Sequence, residues 1–233
     1  MEDLNQSQDG ESQWLPISDL MSVLMMVFLL IAISYMLKVY HEKEKIEEVA
    51  ITYNKLQNEL YEDLSIEFKE DLQKWDAEID KTNLSVRFKS PEILFNVGSA
   101  KIKNDFKIIL DSFFPRFINI LFSDKYKNDI DEIRIEGHTS SFWSTNATEN
   151  QAYIYNMELS QNRTRNVLNH VLHNIEKESN LSIWTRLNVT ANGLSSSKPI
   201  LNLEGKEDRD LSRRVEFRVK TNAEKRIAKI LNQ

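Results

Sequence analysis

Asp19 has the clearest capacity for chemistry in this sequence, because it stands directly before an uncharged apolar run from Leu20 to Leu37. An ionisable group at the centre of a bilayer helix costs about 2.5–3.5 kcal/mol, and less toward the edge, so such groups usually face a partner or a water path. A structural reading stands beside this functional one. Pro16 suits a first helical turn, and Ser18 or Asp19 would cap a helix beginning there. Local chemistry leaves both open. His170 and His173 lie three apart on one helix, but no acidic ligand pattern surrounds them, so a solvated face is expected and no metal site. The chain has no cysteine, which excludes thiolate metal sites, disulfides and thiol catalysis. No Ser-His-Asp arrangement, phosphate loop or pair of catalytic carboxylates can be placed. Neither an enzyme nor a cofactor is expected.

The elements that would position such residues read as three kinds of structure. Leu20 to Leu37 is interrupted only by small or polar residues such as Ser22 and Ser34, and extends back through Trp14, Leu15 and Ile17. A helix over it spans roughly 30 Å, the thickness of a hydrocarbon core. A cleaved signal peptide is not expected, since no basic residue precedes Lys38 and no small-x-small site follows the run. Lys38, Lys43 and Lys45 flank its far end, and by charge alone would put the C-terminal part in the cytoplasm. Beyond it, Ile46, Val49, Tyr53, Leu56, Leu60, Leu64, Phe68, Leu72, Trp75 and Ile79 recur at steps of three and four, predicting a helical stalk. The opening steps have the coiled-coil period and suit a parallel homodimer. The later fours drift around the helix, so the distal half is expected to pack on the following domain.

From about residue 84 the pattern changes to short strands and helices. Strands are expected at Leu84–Phe88, Glu132–Glu136, Leu187–Ala191 and Arg214–Val219. Helices are expected at Phe106–Leu121, Met157–Glu176 and Ala223–Leu231. The fold class is α+β, with helices on one face of a small sheet. The net charge of -6, with acids and bases alternating, argues against a nucleic-acid partner.

Several segments carry a resemblance. Trp14-Leu-Pro-Ile-Ser-Asp19-Leu-Met-Ser before an apolar run resembles the start of MotB-type stator subunits. Ile93–Lys103 resembles the opening strand and turn of the OmpA-type domain that binds peptidoglycan, and Ile135-Glu-Gly-His-Thr139, Tyr155-Asn-Met-Glu-Leu-Ser-Gln-Asn-Arg163, Gly193–Pro199 and Ser212-Arg-Arg-Val-Glu216 resemble, in order, its later pieces. The resemblance implies that Asp19 carries protons and that residues 81–233 form a small mixed sheet with helices packed on one face. It implies a wall-peptide site at Thr139, Ser140, Tyr155, Asn156, Leu159 and Arg163, with Arg163 pairing a diaminopimelate carboxylate. The family usually has Asp at the position of Ser140, contacting the ligand's amine, and a serine cannot supply that charge. Glu149, in a loop from Ser141 to Ile154 that is longer than usual, could restore a carboxylate.

The resemblance further implies MotA-like multi-span channel subunits (ZorA-type in the Zorya anti-phage branch, which this sequence resembles more than the flagellar one). It implies an inner-membrane location with residues 1–13 cytoplasmic, 14–40 spanning, 41–80 a stalk and 81–233 periplasmic. That placement overrules the lysine flank. A flagellar or gliding-type stator, or a wall tether without ion transport, remain the alternatives.

Overall fold

The computed structural model describes residues 6–175 and 179–222, and the chain divides into two compact units between Ile51 and Thr52. The first unit is the upstream part of α1 (Gln6–Glu67). A window of 18 residues within it reaches a mean hydropathy of 2.5, and it is the one helix among the described residues long and apolar enough to cross a membrane. Its large apolar side chains from Leu20 to Tyr40 are all exposed, a surface suited to lipid and not to water. The helix begins at Gln6 and runs through Pro16, so Asp19 lies well inside it. The capping alternative is thereby corrected, because a cap sits at the helix start with non-helical backbone.

The second unit builds its core from the end of α1 and one face of a sheet. Leu60, Leu64 and Phe68 are almost completely buried, each side chain contributing about 1.5–3 kcal/mol by leaving water. Arg116 reinforces the contact, its Nε donating to Glu67 at 2.6 Å and an Nη donating to Asp71 at 2.7 Å. The distal stripe thus packs on the domain, but the helix does not continue to Ile79. It ends at Glu67, followed by a short turn of helix, α2 (Asp71–Lys74), and a strand, β1 (Ala77–Asp80). Asp76 takes a positive φ of 46°, which breaks helical continuity. Pairing with the next strand then places Ala77 opposite Phe88 and Ile79 opposite Val86, burying them at period two instead of period four.

The remaining elements are β2 (Ser85–Phe88), α3 (Pro91–Leu94), α4 (Asn104–Phe122), β3 (Ile130–Gly137), α5 (Glu149–His173), α6 (Asn180–Asn188), β4 (Val189–Gly193), α7 (Arg209–Ser212) and β5 (Val215–Thr221). The sheet order is β1-β2-β5-β3-β4, with β3 and β4 parallel and the other pairs antiparallel. The fold is therefore α+β with a mixed sheet. Val86, Phe88, Ile133, Ile135, Val215, Phe217 and Val219 point to the core. There Phe113 of α4 lies 5.0–5.2 Å from the rings of Phe68, Phe88, Phe117 and Phe217. Alternate residues such as Glu78, Arg87 and Arg134 lie on the opposite, charged face.

Four sequence expectations need correction. Ile93–Lys103 is not a strand but α3 followed by a turn closed by a single bridge between Phe95 and Ile102, with Gly98 at a φ of 67°. The helix expected from Met157 begins at Glu149, because Thr148 and Gln151 form a capping box. Leu187 belongs to α6, capped by Ser179, so the third expected strand starts only at Val189. Met157–Glu176 is also too long at its end, since the helix stops at His173. The expected helix Ala223–Leu231 lies outside the described residues.

Candidate functional site

Two glycines let α5 settle against the ends of β3 and β4. A Cβ on Gly137 would meet Thr164 Cγ2 at 2.6 Å, and one on Gly193 would meet the Gln161 amide nitrogen at 2.3 Å. This close approach fixes the middle of α5 beside the strand ends and the segment that leaves β3. That segment is pinned by its backbone: the His138 amide donates to the Arg214 carbonyl at 3.0 Å, and the Thr139 amide to the Ser195 carbonyl at 2.9 Å. Farther along, Glu207 accepts from the amide and hydroxyl of Ser141 at 2.9 and 2.5 Å, and the Arg209 guanidinium lies 4.8 Å from the Phe142 ring.

Between these elements lies a cavity of about 390 Å³. Thr139, Ser140, Asn156, Leu159 and Arg163 all line it, together with His138, Trp143 and Arg213. Asn156, Leu159 and Arg163 follow helical spacing along one face of α5, which is why one cavity sees all three. Tyr155, one residue round the helix, does not line the cavity. It is exposed and packs on Trp143 with ring centroids 5.4 Å apart. Glu149 is an exposed residue of the first turn of α5 and does not line the cavity either.

Arg163 sits about four turns into α5 and not at its start. Its Nε donates to the Ser99 carbonyl at 2.9 Å, an Nη donates to the Asn96 carbonyl at 3.2 Å, and the guanidinium covers the Phe95 ring at 4.8 Å. Burial, and then the neighbouring Arg213, pull its pKa down to about 10, so it stays cationic at neutral pH. Among the described residues no carboxylate pairs with it, whereas Arg213 pairs with Asp210 and Arg214 with Glu216. Three further polar atoms at this wall are buried without a hydrogen-bond partner: both ring nitrogens of His138 and the hydroxyl of Thr139. A cation with no carboxylate partner, beside buried polar atoms left unpaired, is an arrangement that accepts an anion.

Behind the cavity, Glu136, His138 and Glu216 bring three ligand atoms within 4.8 Å of one another. The Glu216 charge is already met. Glu216 accepts from Arg214 Nε at 2.5 Å and Arg87 Nε at 2.9 Å, which hold it at about 2 against the burial that would raise it. A divalent ion there would face two guanidinium groups, so the donor set does not suit a metal. Burial lowers the pKa of His138, with the Glu136 carboxylate opposing and Arg214 adding to the fall. His170 and His173 do not converge: His170 meets Asp111 at 2.7 Å and His173 meets the Asn169 carbonyl at 2.6 Å.

Sequence reasoning missed Phe95 beneath the guanidinium, Glu207 behind Ser141, and the role of His138 in the wall. The adjacent arginines in Ser212-Arg-Arg-Val-Glu216 were a usable signal. Nothing local pointed to Glu207, which reaches Ser141 from 66 residues away.

No protein-family model matches the chain. A curated relative, the Zorya protein ZorB of Escherichia coli strain Crooks, is 51% identical over 226 residues, covering 97% of this chain and 94% of the relative. Similar solved structures include a MotB-like protein from Desulfovibrio vulgaris, with 23% identity and a TM-score of 0.45, covering 77% of this chain and 98% of that one. Another is the cell wall anchor of the T6SS from Pseudomonas aeruginosa, with 21% identity and a TM-score of 0.44, covering 68% and 96%. A third is the periplasmic domain of Helicobacter pylori MotB, with 20% identity and a TM-score of 0.41, covering 64% and 83%.

Proposed function

This chain belongs to the ZorB family of Zorya proteins, and from that premise we propose that it is the wall-anchored, stator-like subunit of a proton-driven motor in anti-phage defence. In this reading it is not an enzyme and carries no cofactor. α1 crosses the inner membrane once, with residues 1–13 cytoplasmic, residues 14–40 in the span and the domain of residues 81–233 in the periplasm. Two chains pair through the upstream part of the expected 41–80 stalk, around Ile46 and Val49, where the stripe is not taken up by the domain core, and their helices stand inside a ring of MotA-like, ZorA-type subunits. Asp19, at the edge of the apolar run, takes up and releases protons, each worth about 2.3 kcal/mol per 100 mV crossed.

The anchoring half rests on one observation, the Arg163 guanidinium in a walled cavity with no carboxylate partner among the described residues. A wall peptide would supply the missing carboxylate, with Thr139, Ser140, Asn156 and Leu159 around it and Tyr155 outside the cavity beside Trp143. The full chain in detergent should co-sediment with purified peptidoglycan and release it in the presence of soluble wall peptide. For the membrane half, Asp19→Asn keeps shape and removes titration, so it should abolish defence while the chain still inserts and assembles with its channel subunits. Full defence with the Asn variant would leave the wall anchor standing and remove proton transport at Asp19.

A further inference from the structure

We infer that the Arg163 cavity selects a carboxylate whose neighbouring nitrogen is acylated, as in a cross-linked wall peptide, over one beside a free ammonium. The inference rests on the wall-binding reading and names the ligand class within it. The argument is a charge count. Of the three arginines lining the cavity, Arg214 is matched by Glu216 and Arg213 by Asp210, which leaves the single charge of Arg163 to be met from outside. One carboxylate meets it. An ammonium on the adjacent carbon would enter the same space, and no Asp or Glu lines the cavity to receive it.

Glu136 and Glu216 are buried behind the cavity, with Glu216 held by Arg214 and Arg87, and two other carboxylates do not help either. Glu207 already accepts two bonds from Ser141, and Glu149 lies on the exposed first turn of α5. The uncharged acceptors at the wall, Ser140 and Thr139, would leave a desolvated cation among guanidinium groups, which is unfavourable. Aromatic faces offer little more, since the Phe95 and Phe142 rings are each covered on one side by an arginine and the Trp143 ring packs on Tyr155. An amide nitrogen removes the conflict because it carries no charge. The apolar wall formed by Leu94, Val97, Phe142 and Trp143 then has surface for the acyl carbon.

The test is calorimetric titration of the full chain in detergent with two synthetic probes. Both are a wall peptide ending in diaminopimelate, one with the side-chain amine free and one with it acetylated. The acetylated probe should bind more tightly, on the order of tenfold. Ser140→Asp should reverse the order by restoring a carboxylate, while Ser140→Asn, similar in shape and uncharged, should keep it. Tighter binding of the free-amine probe to the parent chain overturns the inference and leaves the wall anchor intact. So does a preference that Ser140→Asp leaves unchanged in a variant that still melts cooperatively. If neither probe binds the parent, the wall-binding reading itself falls and takes the inference with it.

Discussion

Replacing Arg163 by lysine keeps the positive charge and removes the planar fork. In the structure the fork does two jobs. It holds the turn after α3 through the carbonyls of Ser99 at 2.9 Å and Asn96 at 3.2 Å, and it leaves donor capacity facing the cavity. A lysine ammonium cannot reach both carbonyls, stack on Phe95 and still present a donor pair. The two carbonyl contacts are partly exposed, so their loss should lower fold stability by about 1–2 kcal/mol in total. Losing one charge-assisted bond to a bound carboxylate costs about 1.5–3 kcal/mol, or roughly tenfold to 150-fold in affinity. Arg163→Ala should bind as weakly and melt lower still, because it also uncovers Phe95. Co-sedimentation with peptidoglycan over a concentration series gives the affinity, and thermal melting of the same samples gives the stability. If Arg163→Lys binds wall like the parent, the cavity is not the carboxylate site, and the Trp143–Tyr155 surface becomes the place to search. Unchanged melting of Arg163→Ala would refute the bracing argument separately.

Three other perturbations test the framework around the site. Gly193→Ala should destabilise by about 1–3 kcal/mol or more in a denaturant melt, since its Cβ would lie 2.3 Å from the Gln161 amide of α5; a neutral effect would mean that the helix can withdraw freely. Glu216 is held at about 2, below its ordinary 4.5, so the stability it supplies is present above pH 4.5 and lost as the pH falls toward 2. Glu216→Gln should therefore flatten that acid limb and cost about 3–5 kcal/mol at neutral pH, because Arg214 is left buried without its partner; an unchanged acid profile would contradict the assignment. The chain has no native cysteine, so Val49→Cys is a clean probe of the stalk and should give disulfide-linked dimers under mild oxidation, read on a non-reducing gel. Leu56 is the poorer position because it packs against the domain core, and a strictly monomeric Val49→Cys chain would remove the paired stalk.

The sequence by itself determined the long apolar helix, the α+β class and the family. The apolar run from Leu20 to Leu37 needs no partner to be legible, because burial in lipid depends on local composition alone. The strands around Ile133 and Phe217 and the helix around Phe113 were likewise readable, since each presents its own period of apolar side chains to one core. The ordered short motifs, with Asp19 upstream, pointed to the MotB-like family, and the short N-terminus, the compact stalk, Ser140 and the long loop after it pointed to the Zorya branch to which the 51% identical relative belongs. The tertiary structure decided what depended on contacts distant in sequence. Trp75 and Ile79, four apart, fit a helical stripe, and only the offered edge of β2 drew Ala77–Asp80 into a strand instead. Motif matching could gather Thr139, Ser140, Asn156, Leu159 and Arg163, but it could not separate Tyr155 from them, because facing direction follows from how α5 is rotated against Gly137 and Gly193. Nor could it say which arginine would stand without a carboxylate. That is a matter of which charges the fold brings within a few ångströms, and Glu216 and Asp210 take Arg214 and Arg213 while Arg163 is left facing the cavity.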